Sequence, residues 1–137
     1  MTVQERDAFL REPRLAVLAS IGARGAPVAV PLWFEWDGEA ARFFTSALSP
    51  KVKRLEADPR VSLLVANPAG ENEEWVAIDG RVELHEDGAI ELAERLAERY
   101  WDTSTPGHRE TLELWRKAAA AMRRVEIHPT RIRTYRD

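Results

Sequence analysis

The chain has no cysteine among its 137 residues, which excludes disulfides, thiolate metal ligands and a cysteine nucleophile. Histidine is almost as scarce: His85, His108 and His128 are the only three. None stands at ligand spacing with another or with a pair of carboxylates, so no metal centre is expected. No apolar run approaches the roughly 20 residues that a helix needs to cross a bilayer. The opening MTVQERDAFLREP is polar from its second residue, unlike a secretory leader. No membrane partner and a cytoplasmic location are therefore the expectations. The net charge is −3 and no long basic run occurs, which argues against nucleic acid as a partner. G-x-S-x-G, the P-loop and G-x-G-x-x-G are also missing. The sequence marks no acid, base or nucleophile of its own, so no catalytic side chain is assigned. If the chain is an enzyme, a cofactor supplies the reactivity.

What is present is the composition of a globular domain. Hydrophobic residues make up 45% and charged residues 31%, enough for one domain over residues 1–137 with a core of its own. Five tryptophans need burial, an interface or a flat ligand. Thr2 followed by Glu5 is a capping box, predicting a short helix to about Glu12 that Pro13 stops. Arg14 to Ile21 is largely apolar and predicts a strand. Gly22 and Gly25 punctuate a turn. From Val28, the residues Val28, Val30, Leu32, Phe34 and Trp36 alternate on one face of a strand, with Pro27, Pro31, Trp33 and Glu35 on the other. Pro31 cannot donate to a ladder and marks an edge or a bulge. Asp37-Gly38 turns the chain into the strand AARFFTS.

Ser49 caps a helix that begins at Pro50 and ends near Asp58-Pro59. Arg60 to Asn67 and Glu74 to Leu84 predict two further strands, the latter with Val76, Ile78, Val82 and Leu84 inward. The period then changes. Ala89, Ala93, Leu96, Ala97 and Tyr100 repeat at helical spacing, as do Leu112, Trp115, Ala119 and Met122. RRVEIHPTRIRTY closes the chain as a strand. Six short antiparallel strands with hairpin signals predict a mainly β fold with peripheral helices, a closed barrel or Greek key.

The stretch FFTSALSPKVKRL raises a functional question. Thr45 and Ser46 end a strand, Ser49 and Pro50 open a helix, and Lys51 and Lys53 bring positive charge. Hydroxyls, a helix N-terminus and lysines are what a phosphate needs. The same residues read equally well as a capped helix with solvated lysines. Likewise, the strand around Pro31 leaves backbone groups free for the edge of a flat heterocycle that Trp33 could cover, or it is simply an edge strand at a dimer contact. Trp75 shares a face with Asp79 and Arg81 and is not plainly core.

GAPVAVPLWFEWDG, the strand ending FFTS, SPKVKRLEADPRVSLLV and WVAIDGRVEL, in that order, resemble the pyridoxamine 5'-phosphate oxidase-like family of FMN-binding split barrels, which includes deazaflavin-dependent relatives. The likeness covers about Leu15 to Leu84 and fits the last strand. It implies a six-stranded antiparallel split barrel that forms a homodimer, with FMN in a groove between subunits and a small-molecule substrate. Coenzyme F420, the deazaflavin, is the alternative cofactor. By the resemblance, Thr45, Ser46, Lys51 and Lys53 fall on the phosphate-binding stretch, and Ser49, which caps the helix there, is counted with them as cofactor-binding. Val30, Pro31, Leu32 and Trp33 fall on the strand whose backbone meets the isoalloxazine, and Trp75 falls where the second subunit reaches the cofactor. The implied activity is that of a flavin-dependent oxidoreductase. The rival readings are a non-catalytic flavin- or haem-binding module and a cofactor-free dimer that keeps only the scaffold. The chain is shorter than true pyridoxamine phosphate oxidases and lacks a counterpart of their substrate-binding C-terminal segment, so vitamin B6 oxidation is not the expected reaction. The helical pair 89–122 is a long excursion, expected to shape a pocket or extend the dimer contact.

Overall fold

The computed structural model describes all of residues 1–137. The chain opens with helix α1 (Val3–Arg11), and the capping box forms: the Thr2 hydroxyl accepts from the Glu5 amide, and the Glu5 carboxylate accepts from the Thr2 amide. Seven strands follow, interrupted by three more helices. They are β1 (Ala16–Ile21), β2 (Pro27–Leu32), β3 (Glu35–Trp36), β4 (Ala41–Ser46), α2 (Pro50–Ala57), β5 (Arg60–Ala66), β6 (Glu74–His85), α3 (Ala89–Tyr100), α4 (Pro106–Lys117) and β7 (Met122–Arg136). All strands pair antiparallel in one sheet, in the order β2-β1-β5-β6-β7-β4-β3.

The expected count of six strands becomes seven because the run Val28–Trp36 breaks. β2 and β3 are separated by only Trp33 and Phe34, yet they are the two outermost strands of the sheet. Two covalently adjacent segments can occupy opposite edges only if the sheet curls until its edges approach. The alternation predicted for Val28 to Trp36 survives the break: Phe34 and Trp36 are buried, and Val30 and Leu32 pack against the core from β2. Pro31 sits on an edge strand, where a missing N–H costs nothing to a ladder.

The second helix of the late pair also departs from its predicted extent. α4 stops at Lys117, Ala119–Ala121 forms a 3-10 turn, and Met122 already belongs to β7. Ala119 and Met122 therefore do not continue the helical face of Leu112 and Trp115. The 3-10 turn instead redirects the chain into a 15-residue strand paired with both β6 and β4.

The main core fills the curled sheet, with Phe34, Phe43, Leu18, Leu63, Ile78 and Ile127 fully buried. A second, smaller cluster of Ala89, Ala93 and Met122, with Phe44 and Trp115 against it, joins the late helices to the outside of β4 and β7. Arg99 of α3 ties α1 to this frame. Its guanidinium donates to the carbonyls of Leu10, Arg11 and Glu12 at the end of α1, where a cation also opposes the helix dipole.

Gly80 lies at the register shift between β6 and β7, opposite Pro129. A Cβ there would stand 2.3 Å from the His128 carbonyl oxygen, which is backbone and cannot rotate aside. Gly80→Ala is expected to destabilise by about 1–3 kcal/mol through overpacking, several degrees in thermal midpoint for a chain of this size. Gly107→Ala, inside α4 where an added Cβ meets nothing within 4 Å, is the control in the same melt and should leave the midpoint unchanged or raise it, since alanine favours a helix over glycine.

Candidate functional site

The turn from β4 into α2 is built by its own hydroxyls. The Ser46 hydroxyl accepts from the Leu48 amide at 3.2 Å, and the Ser49 amide donates to the Ser46 carbonyl at 3.0 Å. The Ser49 hydroxyl accepts from the Lys51 amide at 3.3 Å, and Pro50 occupies the first helical position. Thr45 is buried, Ser49 is half-buried and Ser46 is exposed.

Lys51 and Lys53 are two positions apart, about 200° around the helix, and they part company. Lys53 is exposed, whereas Lys51 is half-buried. Burial, and after it the nearby charge of Arg54, push the Lys51 ammonium below its ordinary pKa of 10.5. No acidic group offsets either effect. Arg54, one turn on, shares the Lys51 side of the helix and donates from Nε to the Ser20 hydroxyl at 3.4 Å. Ser20 is buried on β1 and pairs with Val28 of the edge strand β2. None of Lys51, Lys53 and Arg54 forms an ion pair within the chain. Lys53 and Arg54 border an open hollow of about 530 Å3 with Arg24, whose φ of 61° puts it in the left-handed region.

The second predicted stretch forms the wall of a different cavity. Pro31, Leu32 and Trp33 bound a space of about 370 Å3 that is completed by Phe44 of β4, Trp101 at the end of α3 and Trp115 of α4, with Leu15 also lining it. A smaller recess of about 170 Å3 lies alongside, bounded by Thr45, Ser46 and Met122, and it shares Phe44 and Trp115 with the first. The two stretches that looked separate in the sequence, 30–33 and 45–46, therefore meet on one continuous surface. Val30 is turned to the core, so it offers that surface backbone rather than side chain. The Trp33 ring is already engaged: it lies parallel to Tyr100 at 5.2 Å and edge-on to Trp101 at 4.7 Å.

Trp75 lies elsewhere. It stacks on Tyr135 at 6.1 Å and lines a shallow cavity of about 410 Å3 with Val17, Leu64, Ala66 and Arg133 on the outer face of the sheet. β6 is three strands from β2, about 14 Å at the usual strand spacing. Within one chain, Trp75 does not reach the surface that holds Pro31 and Ser46. Its face is largely apolar and open, with Val17, Leu64 and Tyr135 exposed. Its main polar feature is Asp79, which accepts from both Arg133 nitrogens at 2.8 Å and from Ser62 at 2.7 Å. Those contacts, Arg133 foremost, hold the Asp79 carboxyl below the usual carboxylate range.

The sequence does not mark Arg54, Phe44, Trp101 or Trp115 as site residues. The first was legible from its i, i+3 relation to Lys51. The other three come together only through tertiary packing of α4 on β4. The histidines do gather partners that their spacing does not announce, since His85 and His128 both approach Glu83, at 3.3 and 3.0 Å. No three of the chain's histidine and carboxylate groups converge as metal ligands. No helix is long and apolar enough to cross a membrane.

The curled sheet has relatives among known folds. A conserved hypothetical protein from Mycobacterium tuberculosis superposes with a TM-score of 0.81 at 26% identity, covering 99% of this chain and 85% of that one. A structure described as an F420 reductase gives 0.76 at 24% identity, over 93% and 94% of the two chains. A haem storage protein from Vibrio cholerae gives 0.70 at 16% identity, over 97% and 92%. No protein of curated function matches the chain in sequence. The family model described as pyridoxamine 5'-phosphate oxidase matches residues 2–136, nearly the whole length. The chain is a member of the pyridoxamine 5'-phosphate oxidase family.

Proposed function

We propose that the chain is an oxidoreductase that binds FMN at a groove shared by two copies, with the deazaflavin coenzyme F420 as the alternative occupant of the same groove. The observation that carries this reading is Lys51. It is half-buried at the capped start of α2 without a carboxylate partner, and burial, followed by the charge of Arg54, lowers its pKa. A phosphate dianion there would offset a charge that the chain itself leaves unpaired. The surroundings fit the rest of a flavin. The edge strand β2 offers backbone groups without a strand partner on one side, and the aromatic surface of Phe44 and Trp115 continues from it. The fold is shared with a protein described as an F420 reductase, which keeps the deazaflavin as the alternative.

In this reading Lys51, Arg54, Ser46 and the amides at the start of α2 hold the phosphate, and the Val30–Trp33 backbone orients the ring. Bound FMN supplies the hydride-accepting chemistry, which accounts for the absence of an evident acid, base or nucleophile. Trp75 is contributed by the partner copy.

The test is the absorption spectrum of the purified protein after incubation with FMN or F420, and the mass of what it releases on denaturation. Bound FMN that dithionite bleaches and an added acceptor reoxidises supports the reading. Bound FMN that reacts with no acceptor points to a storage or sensing module, and failure to bind either cofactor overturns the site. The pH dependence is a further check. Lys51 must be protonated to meet a phosphate, and its pKa lies below 10.5 in the free protein. The ratio of FMN to riboflavin affinity is therefore expected to decline with rising pH before an ordinary lysine would lose its proton, because the isoalloxazine is common to both ligands and only the phosphate meets Lys51.

A further inference from the structure

We propose that the acidic loop between β5 and β6 of each copy docks on the basic end of the other copy's outer sheet face, so that two charge latches set the orientation of the dimer. This rests on the reading above that two copies share the cofactor groove, and it assigns the surfaces that hold them in register.

The outer face of β1, β5 and β6 carries opposite charge at its two ends. Strand alternation puts Arg60 on the face of Leu64 and Arg81 on the face of Trp75, and the two arginines stand directly opposite each other across the strands. Like charges at such a position repel. The chain neutralises only one of them: Arg60 donates to Asp58 at 2.7 and 3.0 Å. Arg24 and Lys53, both exposed, border the open hollow that also takes in Arg60. Arg24, Lys53 and Arg81 form no ion pair within the chain.

The other end carries Glu71, Glu73 and Glu74. Glu74 is bound by Arg136 at 2.8 Å. Glu71 and Glu73 are exposed and have no cation partner in the chain. The loop that presents them is held in shape. The Asn67 amide donates to the Glu74 carbonyl at 3.0 Å, the Asn67 side chain donates to the Asn72 carbonyl at 3.0 Å, and the Asp137 amide donates to the Glu73 carbonyl at 3.1 Å. A loop already ordered loses less entropy on docking.

β5 separates the two ends by about 20 Å at the usual strand rise, and the face between them is largely apolar, with Val17, Ala19, Leu64 and Trp75. A two-fold axis sets this face against itself. If the two β5 strands ran the same way, glutamate would meet glutamate and arginine would meet arginine. Run antiparallel, each acidic loop meets the basic end of the other copy, twice over. The cofactor reading agrees with this closure. Trp75 directly follows Glu74, so a partner whose Trp75 reaches the groove brings its acidic loop toward α2, which carries Lys53.

The experiment measures assembly of the full-length protein by sedimentation over a dilution series. The rate of subunit exchange between labelled samples reads the same effect where the dimer is too tight to dilute apart. Glu71→Lys with Glu73→Lys should raise the dimer dissociation constant about tenfold or more, and Arg24→Glu with Arg81→Glu should do the same, because like charges then face each other across the interface. All four substitutions together should restore assembly to near the wild-type level. Glu110→Lys with Glu113→Lys, exposed on α4, makes the same change in net charge and should leave assembly intact. Circular dichroism checks that every variant is folded. Wild-type dissociation in either reversed pair would overturn the proposal, as would a fourfold variant that stays as weak as the pairs. FMN titration of the same samples separates the two readings. If the reversals and their rescue behave as expected while FMN does not bind, the cofactor reading falls and the latch stands. If FMN binds and neither reversal changes assembly, the latch falls and the cofactor reading stands.

Discussion

Lys51→Ala combined with Lys53→Ala should weaken FMN binding about a hundredfold or more. A hydrogen bond to a charged group contributes on the order of 1.5–3 kcal/mol, and roughly 1.4 kcal/mol is a factor of ten. The structure divides this effect unevenly. Lys51 is half-buried on the side of α2 that also carries Arg54, whereas Lys53 is exposed on another side. The single substitution Lys51→Ala should therefore account for most of the loss. Riboflavin, which lacks the phosphate, should lose far less affinity. The apoprotein should not be destabilised, because the charge removed is a partly buried one without a partner. Ser49→Ala is different in kind. It removes the cap on the Lys51 amide and should cost about 1 kcal/mol of stability. Calorimetric titration of the variants with FMN and riboflavin reads the first effect, and thermal unfolding reads the second. Wild-type affinity of the double variant for both ligands would remove the phosphate assignment.

Leu64→Arg should convert a dimer into a monomer and weaken FMN binding more than tenfold in the same sample. Leu64 lies 41% exposed on the open sheet face with Val17, Trp75 and Tyr135, and a soluble chain rarely leaves such a patch uncovered. A guanidinium at its centre would have to be buried without a partner if two such faces closed on each other. The cofactor enters through the proposed function, which has Trp75 reach the groove: Trp75 sits three strands away from β2 in its own chain, so that proposal requires a second copy. Leu114→Arg, the same substitution at a more exposed leucine on α4 with 64% exposure, is the control and should leave assembly intact. Sedimentation velocity with a parallel FMN titration measures both properties. A monomeric variant that binds FMN as tightly as wild type would show that the groove is complete within one chain, and a variant that stays dimeric would move the interface elsewhere.

Much of this architecture was legible in the residues. The capping box at Thr2 and Glu5, the Ser49-Pro50 start and the stop at Asp58-Pro59 are local signals, because caps and prolines act within one turn of chain. The strands were legible for the same reason, since burial of one face imposes a period of two wherever the sheet runs. The break between β2 and β3 was not, because Val28 to Trp36 keeps its alternation straight through it. What interrupts the pairing is the closure of the sheet, not a breaker residue. α4 was overextended to Met122 because Ala119 and Met122 happen to continue its apolar spacing. The demands of pairing with β4 and β6 overrode that spacing.

The order of motifs along the chain was sufficient by itself to identify the family and the mainly β barrel. It also marked both stretches that could meet a cofactor, since each announces itself through hydroxyls, lysines or an edge proline. Tertiary structure alone decided how those stretches relate. Packing of α4 on β4 placed Trp115 and Phe44 between 31–33 and 45–46 and made one surface of them. Helix geometry put Lys51 and Lys53 on different sides, burying one ammonium and leaving the other in water. Sheet order carried Trp75 to the far face. These outcomes depend on which distant elements touch, and a linear pattern records the apolar face of each helix or strand without saying what will cover it.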